Sequence, residues 1–220
     1  MIETTFANAI NQAIYDSLES DKKVLCLGLG TTDPKGVFET TLGLKEKFGK
    51  DRVFDIPTSE NAITGVCAGL GIAGYKPILT HQRLDFAILS LDQIINNAAK
   101  IHYMYGGNLS CPIVIRMIIG RGWGQGPTHS QSMETIFAQI PDINVVLPVF
   151  PEDSELIFRS FTKQNAPTIF IFLNFSGLFK CSLMISIIIS ESLYAPNRFA
   201  CVASNIGSSK SMNGRLLLHL

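Results

Sequence analysis

Apolar residues recur at Phe6, Ile10, Ala13, Ile14 and Leu18, the spacing of one helix face, so the chain is predicted to open with an amphipathic helix. Residues 24–28, Val-Leu-Cys-Leu-Gly, then read as a buried strand ending in glycine. A turn-rich stretch over 31–36 leads to a short helix ending near Phe48, and 52–56 reads as the next strand. Ser59 stands where an N-cap would open a helix over 61–75. Further strands are predicted at 78–80, 112–118, 144–148 and 168–172. Helices are predicted at 84–102, 132–139 and 152–164, with a glycine-rich loop over 120–128. Strands and helices alternate, and most strand runs read as buried on both faces rather than at every second position. That pattern predicts an α/β fold with a mostly parallel sheet and helices on both faces. In such sheets ligands bind at the carboxyl ends of the strands.

The alternation stops near Asn174. Residues 182–192 are rich in Ser and Ile, 204–215 are polar, and Glu191 is the one acid from Phe175 onward. The expected organisation is therefore one domain over 1–174 and an atypical tail of uncertain structure over 175–220. A chain of 220 residues with 46% hydrophobic and 16% charged content can bury one sizeable core. Eighteen basic residues balance eighteen acidic ones, which speaks against nucleic acid or an anionic membrane as a partner. The five cysteines form no CxxC pair, and Cys26 and Cys67 sit in apolar runs, so buried reduced thiols are expected. With no secretory pattern at 1–6 and an apolar run at 183–189 too short to span a bilayer, the expectation is a cytoplasmic protein, or a mitochondrial matrix one in a eukaryote.

Two loops at predicted strand ends carry candidate chemistry. The first, 55–61, puts Glu60 at a helix N-terminus on the ligand-binding edge; alone, it reads equally as a first-turn acid complementing the helix dipole. The second, 120–131, has glycines at alternate positions and ends at His129. That histidine is either a solvated loop residue or a group that moves a proton near neutrality. A G-x-G-x-x-G string at 69–74 falls inside a predicted helix rather than after a strand, so close packing explains it better than a dinucleotide.

The order of several blocks resembles the beta subunit of the decarboxylase component of 2-oxo acid dehydrogenase complexes. These blocks are 36–38 (GVF), 52–60 (RVFDIPTSE), Asp85-Phe86, 92–100 (DQIINNAAK), 112–116 (PIVIR) and 129–132 (HSQS). The resemblance implies a pyrimidine-binding domain for thiamine diphosphate and an enzyme subunit, inactive without its partner. In that family the glutamate, here Glu60, shares a proton with N1′ of the cofactor's aminopyrimidine, in a pocket apolar enough to raise a carboxyl pKa. The cofactor then serves as electron sink for decarboxylation. Phe86 matches the aromatic residue that packs on the pyrimidine, although an ordinary core phenylalanine would look the same. His129 matches the active-site histidine, and Thr58 and Gln82 fall at pocket-lining positions.

The resemblance also implies partners: an alpha-type subunit, a second beta-type chain in a heterotetramer, and a 2-oxo acid such as pyruvate or a branched-chain one. The alpha-type subunit would hold the diphosphate and Mg2+, because the Gly-Asp-Gly…Asn signature for them does not occur here; no metal site is expected on this chain. Two departures stand out. His81 and Arg83 flank Gln82, and Arg83 either favours an acidic substrate or turns to solvent. The tail after Asn174 matches nothing in the family and reads as a truncated or replaced terminus. The competing readings are a degenerate interaction subunit and another thiamine diphosphate enzyme of transketolase type.

Overall fold

Thr5 starts the first helix, its side-chain oxygen accepting from the Asn8 amide at 3.1 Å, and α1 runs Phe6–Ser20. The face carrying Ile10, Ala13, Ile14 and Leu18 is fully buried, as the spacing predicts. This computed structural model describes residues 5–120, 124–148, 151, 154, 155, 158, 164–173 and 199–200. Among them the strands are β1 (Val24–Gly28), β2 (Val53–Phe54), β3 (Lys76–Thr80), β4 (Val114–Ile119), β5 (Asn144–Val146), β6 (Thr168–Leu173) and β7 (Phe199–Ala200). They form one sheet in the order β2-β1-β3-β4-β6-β5-β7, with every pairing parallel.

The expected parallel sheet with helices on both faces is thus observed. Alternate residues of each strand feed opposite layers. Leu25, Leu27, Leu79, Ile115 and Met117 pack toward α3 (Glu60–Ile72) and α4 (Leu84–Ala87). Val24, Cys26, Ile78, Val114 and Ile118 pack toward α1 and α2 (Leu44–Phe48). Each fully buried Leu or Ile contributes about 1.5–3 kcal/mol by leaving water.

Several elements end differently from their sequence pattern, each for a local reason. β2 is shorter than 52–56 because the Asp55 carboxylate accepts from the Gly30 and Ile56 amides, turning the chain out of the ladder. α3 begins at Glu60 and stops at Ile72 rather than Tyr75: Gly74, at φ +86°, takes the left-handed position, and the Tyr75 amide donates to Leu70. Ser59 occupies the N-cap but its side chain makes no capping bond. The helix expected over 84–102 spans α4, a 3-10 turn (Ile88–Ser90), a π-helical stretch (Gln93–Ala98) and α5 (Ile101–Met104). Its buried face repeats evenly enough to hide those changes of winding. α6 is Glu134–Ala138. Of the helix expected over 152–164, Ser154, Glu155 and Phe158 are helical, as is Pro151 just before it, Gln164 is not, and the rest lies outside the described residues. The tail also lies outside them apart from β7 beside β5.

At the end of β1, Gly28 adopts φ +154° directly opposite Thr80 of β3. A Cβ there would lie 2.5 Å from the Thr80 carbonyl oxygen, so only glycine lets these strand tips approach. The G-x-G-x-x-G string lies in the last turns of α3, where a Cβ on Gly71 would come 3.3 Å from Cys111 Cα, while Gly69 faces open space. Close packing at Gly71 and the left-handed turn at Gly74, not a phosphate turn, account for those two glycines. Two substitutions separate these environments. Gly28→Ala should cost about 2–4 kcal/mol of stability. Gly69→Ala should raise stability by about 0.5–1 kcal/mol. Urea midpoints of the full chain measure both.

Candidate functional site

The strand order 2-1-3 makes the tips of β1 and β3 a topological switch point, where consecutive connections leave on opposite sides of the sheet. A shallow cleft, open to solvent, lies there. It is lined by Leu29 after β1, residues 56–60 after β2, and residues 80–82 at the end of β3. Thr58, Glu60 and Gln82 therefore meet in one place. Glu60 is half-buried as the first residue of α3, near the positive end of that helix. The Gln82 side-chain amide donates a hydrogen bond of 3.3 Å to the Leu29 carbonyl.

Phe86 and His129 do not line this cleft. They meet each other, ring centroids 5.4 Å apart at 87°, an edge-to-face pair. His129 sits in a 3-10 turn (Pro127–His129), half-buried, with Nδ1 2.9 Å from the Thr128 hydroxyl. The glycine-rich loop is tied down where it is described. Gln125 accepts from Arg83, and the Gln131 amide donates to Asp85 at 3.1 Å. Residues 121–123 of that loop lie outside the described residues. Arg83 does not turn to solvent: it is 8% exposed and lies 5.8 Å from the centre of the Phe38 ring. Burial lowers its pKa, against the raising effect of Asp85.

Beneath the cleft lies a polar layer that the sequence pattern did not single out. His81 is 4% exposed, and its Nε2 faces the hydroxyls of Thr64 at 3.1 Å and Ser90 at 3.4 Å. Thr64 in turn donates to the Glu60 carbonyl at 2.7 Å. The His81 amide donates to the Arg116 carbonyl at 3.0 Å. Arg116 is wholly buried; its Nε and Nη1 donate to Thr80 and Thr40, while Nη2 has no hydrogen-bond partner. Burial lowers its pKa to about 10. A histidine directly after a mostly buried strand was the available signal for this layer; Thr64 and Ser90 gave none, since each looks like an ordinary helix residue.

Cys26, Cys67 and Cys111 are free and buried, and burial raises their pKa values to about 11, 12 and 12. They are inert thiols at neutral pH. Among the described residues no group of three or more His, Cys, Asp or Glu is placed to hold a metal ion, and no helix is long and apolar enough to cross a membrane.

A parallel α/β sheet with a carboxylate-bearing cleft at its switch point defines a ligand-binding domain of the doubly wound class. Within that class, the chain belongs to the family described as transketolase, pyrimidine binding domain, which matches residues 3–174. It is 39% identical over 166 residues to the 2-oxoisovalerate dehydrogenase subunit beta of Bacillus subtilis, covering 76% of this chain and 51% of that protein. It is 35% identical over 171 residues to the pyruvate dehydrogenase E1 component subunit beta of the same organism, covering 78% and 53%. The chain thus spans about half the length of the curated relatives it matches. A solved structure described as a split gene transketolase, inactive beta4 tetramer, superposes with a TM-score of 0.61 at 17% identity, covering 81% of this chain and 55% of that one.

Burial pushes the His81 imidazole down from 6.5 to about 4. The unfolded residue gains a proton near pH 6.5 and the folded one only near 4, so its contribution is intact above pH 6.5 and is lost as pH falls toward 4. Wild-type stability should therefore drop by about 2 kcal/mol more than that of His81→Phe between pH 7 and pH 5. Urea titrations at the two pH values read the difference.

Proposed function

We propose that this chain is a beta-type subunit of a 2-oxo acid dehydrogenase and grips the aminopyrimidine of thiamine diphosphate. The observation that carries the reading is the convergence of Glu60, Thr58 and Gln82 on one switch-point cleft in a chain whose curated relatives are such beta subunits. The cleft suits a flat polar heteroaromatic ring: a carboxyl group at its rim, an amide on one wall and a neutral imidazole on its floor. When bound, thiamine diphosphate supplies the electron sink for loss of carbon dioxide from a 2-oxo acid.

This chain's residues prepare that chemistry. Glu60 holds a proton at ring atom N1′, and the N-terminal turn of α3 fixes the backbone from which it reaches. Phe86 on α4 and His129 on the neighbouring 3-10 turn, paired edge to face, flank the ring and serve the reacting group. An alpha-type subunit holds the diphosphate and Mg2+ and covers the half-buried Glu60. Exposed apolar side chains support contact with a second beta-type chain in a heterotetramer: Val66 on α3, Leu89, and Tyr103, Met104 and Tyr105 in a row. We propose the division into a domain over 1–174 and a separate tail on the same footing.

A second reading, an interaction subunit without turnover, is favoured by one observation: the family match ends at residue 174, leaving 175–220 outside it. Co-expression with an alpha-type subunit and assay on pyruvate and branched-chain 2-oxo acids distinguishes the two. Decarboxylation that Glu60→Gln lowers by about 100-fold or more supports the catalytic reading. Stable association without decarboxylation of any of these acids supports the second. Calorimetry should find thiamine diphosphate binding weak to the chain alone and tight to the pair.

A further inference from the structure

The start of α4 grips the loop that carries His129 from both sides. Within that loop the His129 amide closes a turn onto the Gly126 carbonyl at 3.3 Å. Gly124 and Gly126 stand at φ +68° and +84°, in a stretch whose own backbone does little to fix where the turn sits. Contacts from elsewhere fix it. Before the turn, the Gln125 side chain accepts from Arg83. After it, the Gln131 amide donates to the Asp85 carboxylate at 3.1 Å, across 46 positions of chain. Between the two, the His129 ring meets Phe86 edge to face. All three anchors come from residues 83–86, where Arg83 is the N-cap of α4 and Asp85 lies in its first turn. Arg83 is itself buried against Phe38 and attracted to Asp85. The helix dipole alone explains many first-turn acids, but such an acid keeps its oxygens in water. Asp85 instead turns one oxygen to a distant backbone amide, and its Oδ2 is buried with no hydrogen-bond partner.

We propose that Asp85 is a positioning residue for His129: its carboxylate holds the far end of the turn and, with Arg83 at the near end, seats the imidazole against Phe86. Asp85 touches no reacting group and acts through the histidine alone. The role of His129 in the reaction rests on the proposed function, whereas the seating of its ring does not. Three features fit Asp85 to the task. The bond it accepts comes from a backbone amide, so it fixes the path of the chain whatever side chain stands at 131. A hydrogen bond to a carboxylate is about twice as strong as one between neutral groups. A turn held at one end still swivels, but one held at both ends from the same short helix keeps a single position.

The test uses the full chain, first alone and then paired with an alpha-type subunit. The chain has four histidines, and the ring signals of His129 are identified by their loss in His129→Gln. The wild-type chain should show a nuclear Overhauser contact between the His129 and Phe86 rings. Asp85→Ala should abolish it, and Asp85→Asn, which keeps an acceptor for the Gln131 amide, should retain it. In the pair, Asp85→Ala should lower kcat for carbon dioxide release from a 2-oxo acid by about 100-fold, with KM nearly unchanged. Made in the His129→Gln background, the same substitution should cost less than about threefold more, because the histidine it serves is already gone. A ring contact that survives Asp85→Ala, or losses from the two substitutions that simply multiply, overturns the proposal. Should Asp85→Ala fail to fold, hydrogen exchange on the wild-type chain decides. The Gln131 amide should exchange at least about tenfold more slowly than in an open chain, and exchange at the open-chain rate removes the anchor. A pair that releases no carbon dioxide from any 2-oxo acid overturns the proposed function, and the ring contact then decides the role of Asp85 by itself.

Discussion

The cleft keeps its shape because one uncharged histidine, sealed beneath it, hydrogen-bonds two helical segments at once. Nε2 of His81 reaches Thr64 on α3 and Ser90 on the 3-10 turn, while its backbone amide is bound to β4 through Arg116. That ring adds directional bonds between the start of α3 and the end of β3 to the packing around them. Hydrophobic packing is non-directional and would leave the Glu60 backbone free to slide. Hydrogen bonds fix distance and angle. The layers of the sheet supply stability, and this small polar layer supplies the geometry.

Arg116 shows what such polar burial costs. A wholly buried guanidinium with one nitrogen unpartnered loses hydration that two threonine hydroxyls only partly replace. Its hydrocarbon stem shares a face with Val114 and Ile118, so an apolar residue of similar volume would satisfy that core. What the arginine adds is direction. By bonding Thr80 on β3 and Thr40 on the loop after β1, it joins three segments at the strand tips, close to where Gly28 lets two of them touch.

Much of this architecture was legible in residue order, because buried parallel strands and amphipathic helices leave long, regular apolar patterns. The strands expected at 24–28 and 78–80 and the first helix follow directly from them, the second strand beginning two residues earlier, at Lys76. The meeting of Thr58, Glu60 and Gln82 was legible only through family resemblance, since nothing in spacing says that β2 and β3 flank β1. The changes of winding between 84 and 104 were hidden because Leu84, Ala87, Ile94, Ala98 and Ile101 stay on the buried side through all of them. Ser90 bonds its own backbone at Ala87, a local choice that apolar periodicity does not record. The pairing of Phe86 with His129 joins residues more than forty positions apart and was equally invisible.

Every residue lining the cleft lies between positions 29 and 82. The cleft is thus lined by one short stretch of the chain, backed by the later strands, with the Phe86–His129 pair outside that lining. Substitutions beyond β3 can therefore reshape edges and loops without replacing any side chain that lines the cleft.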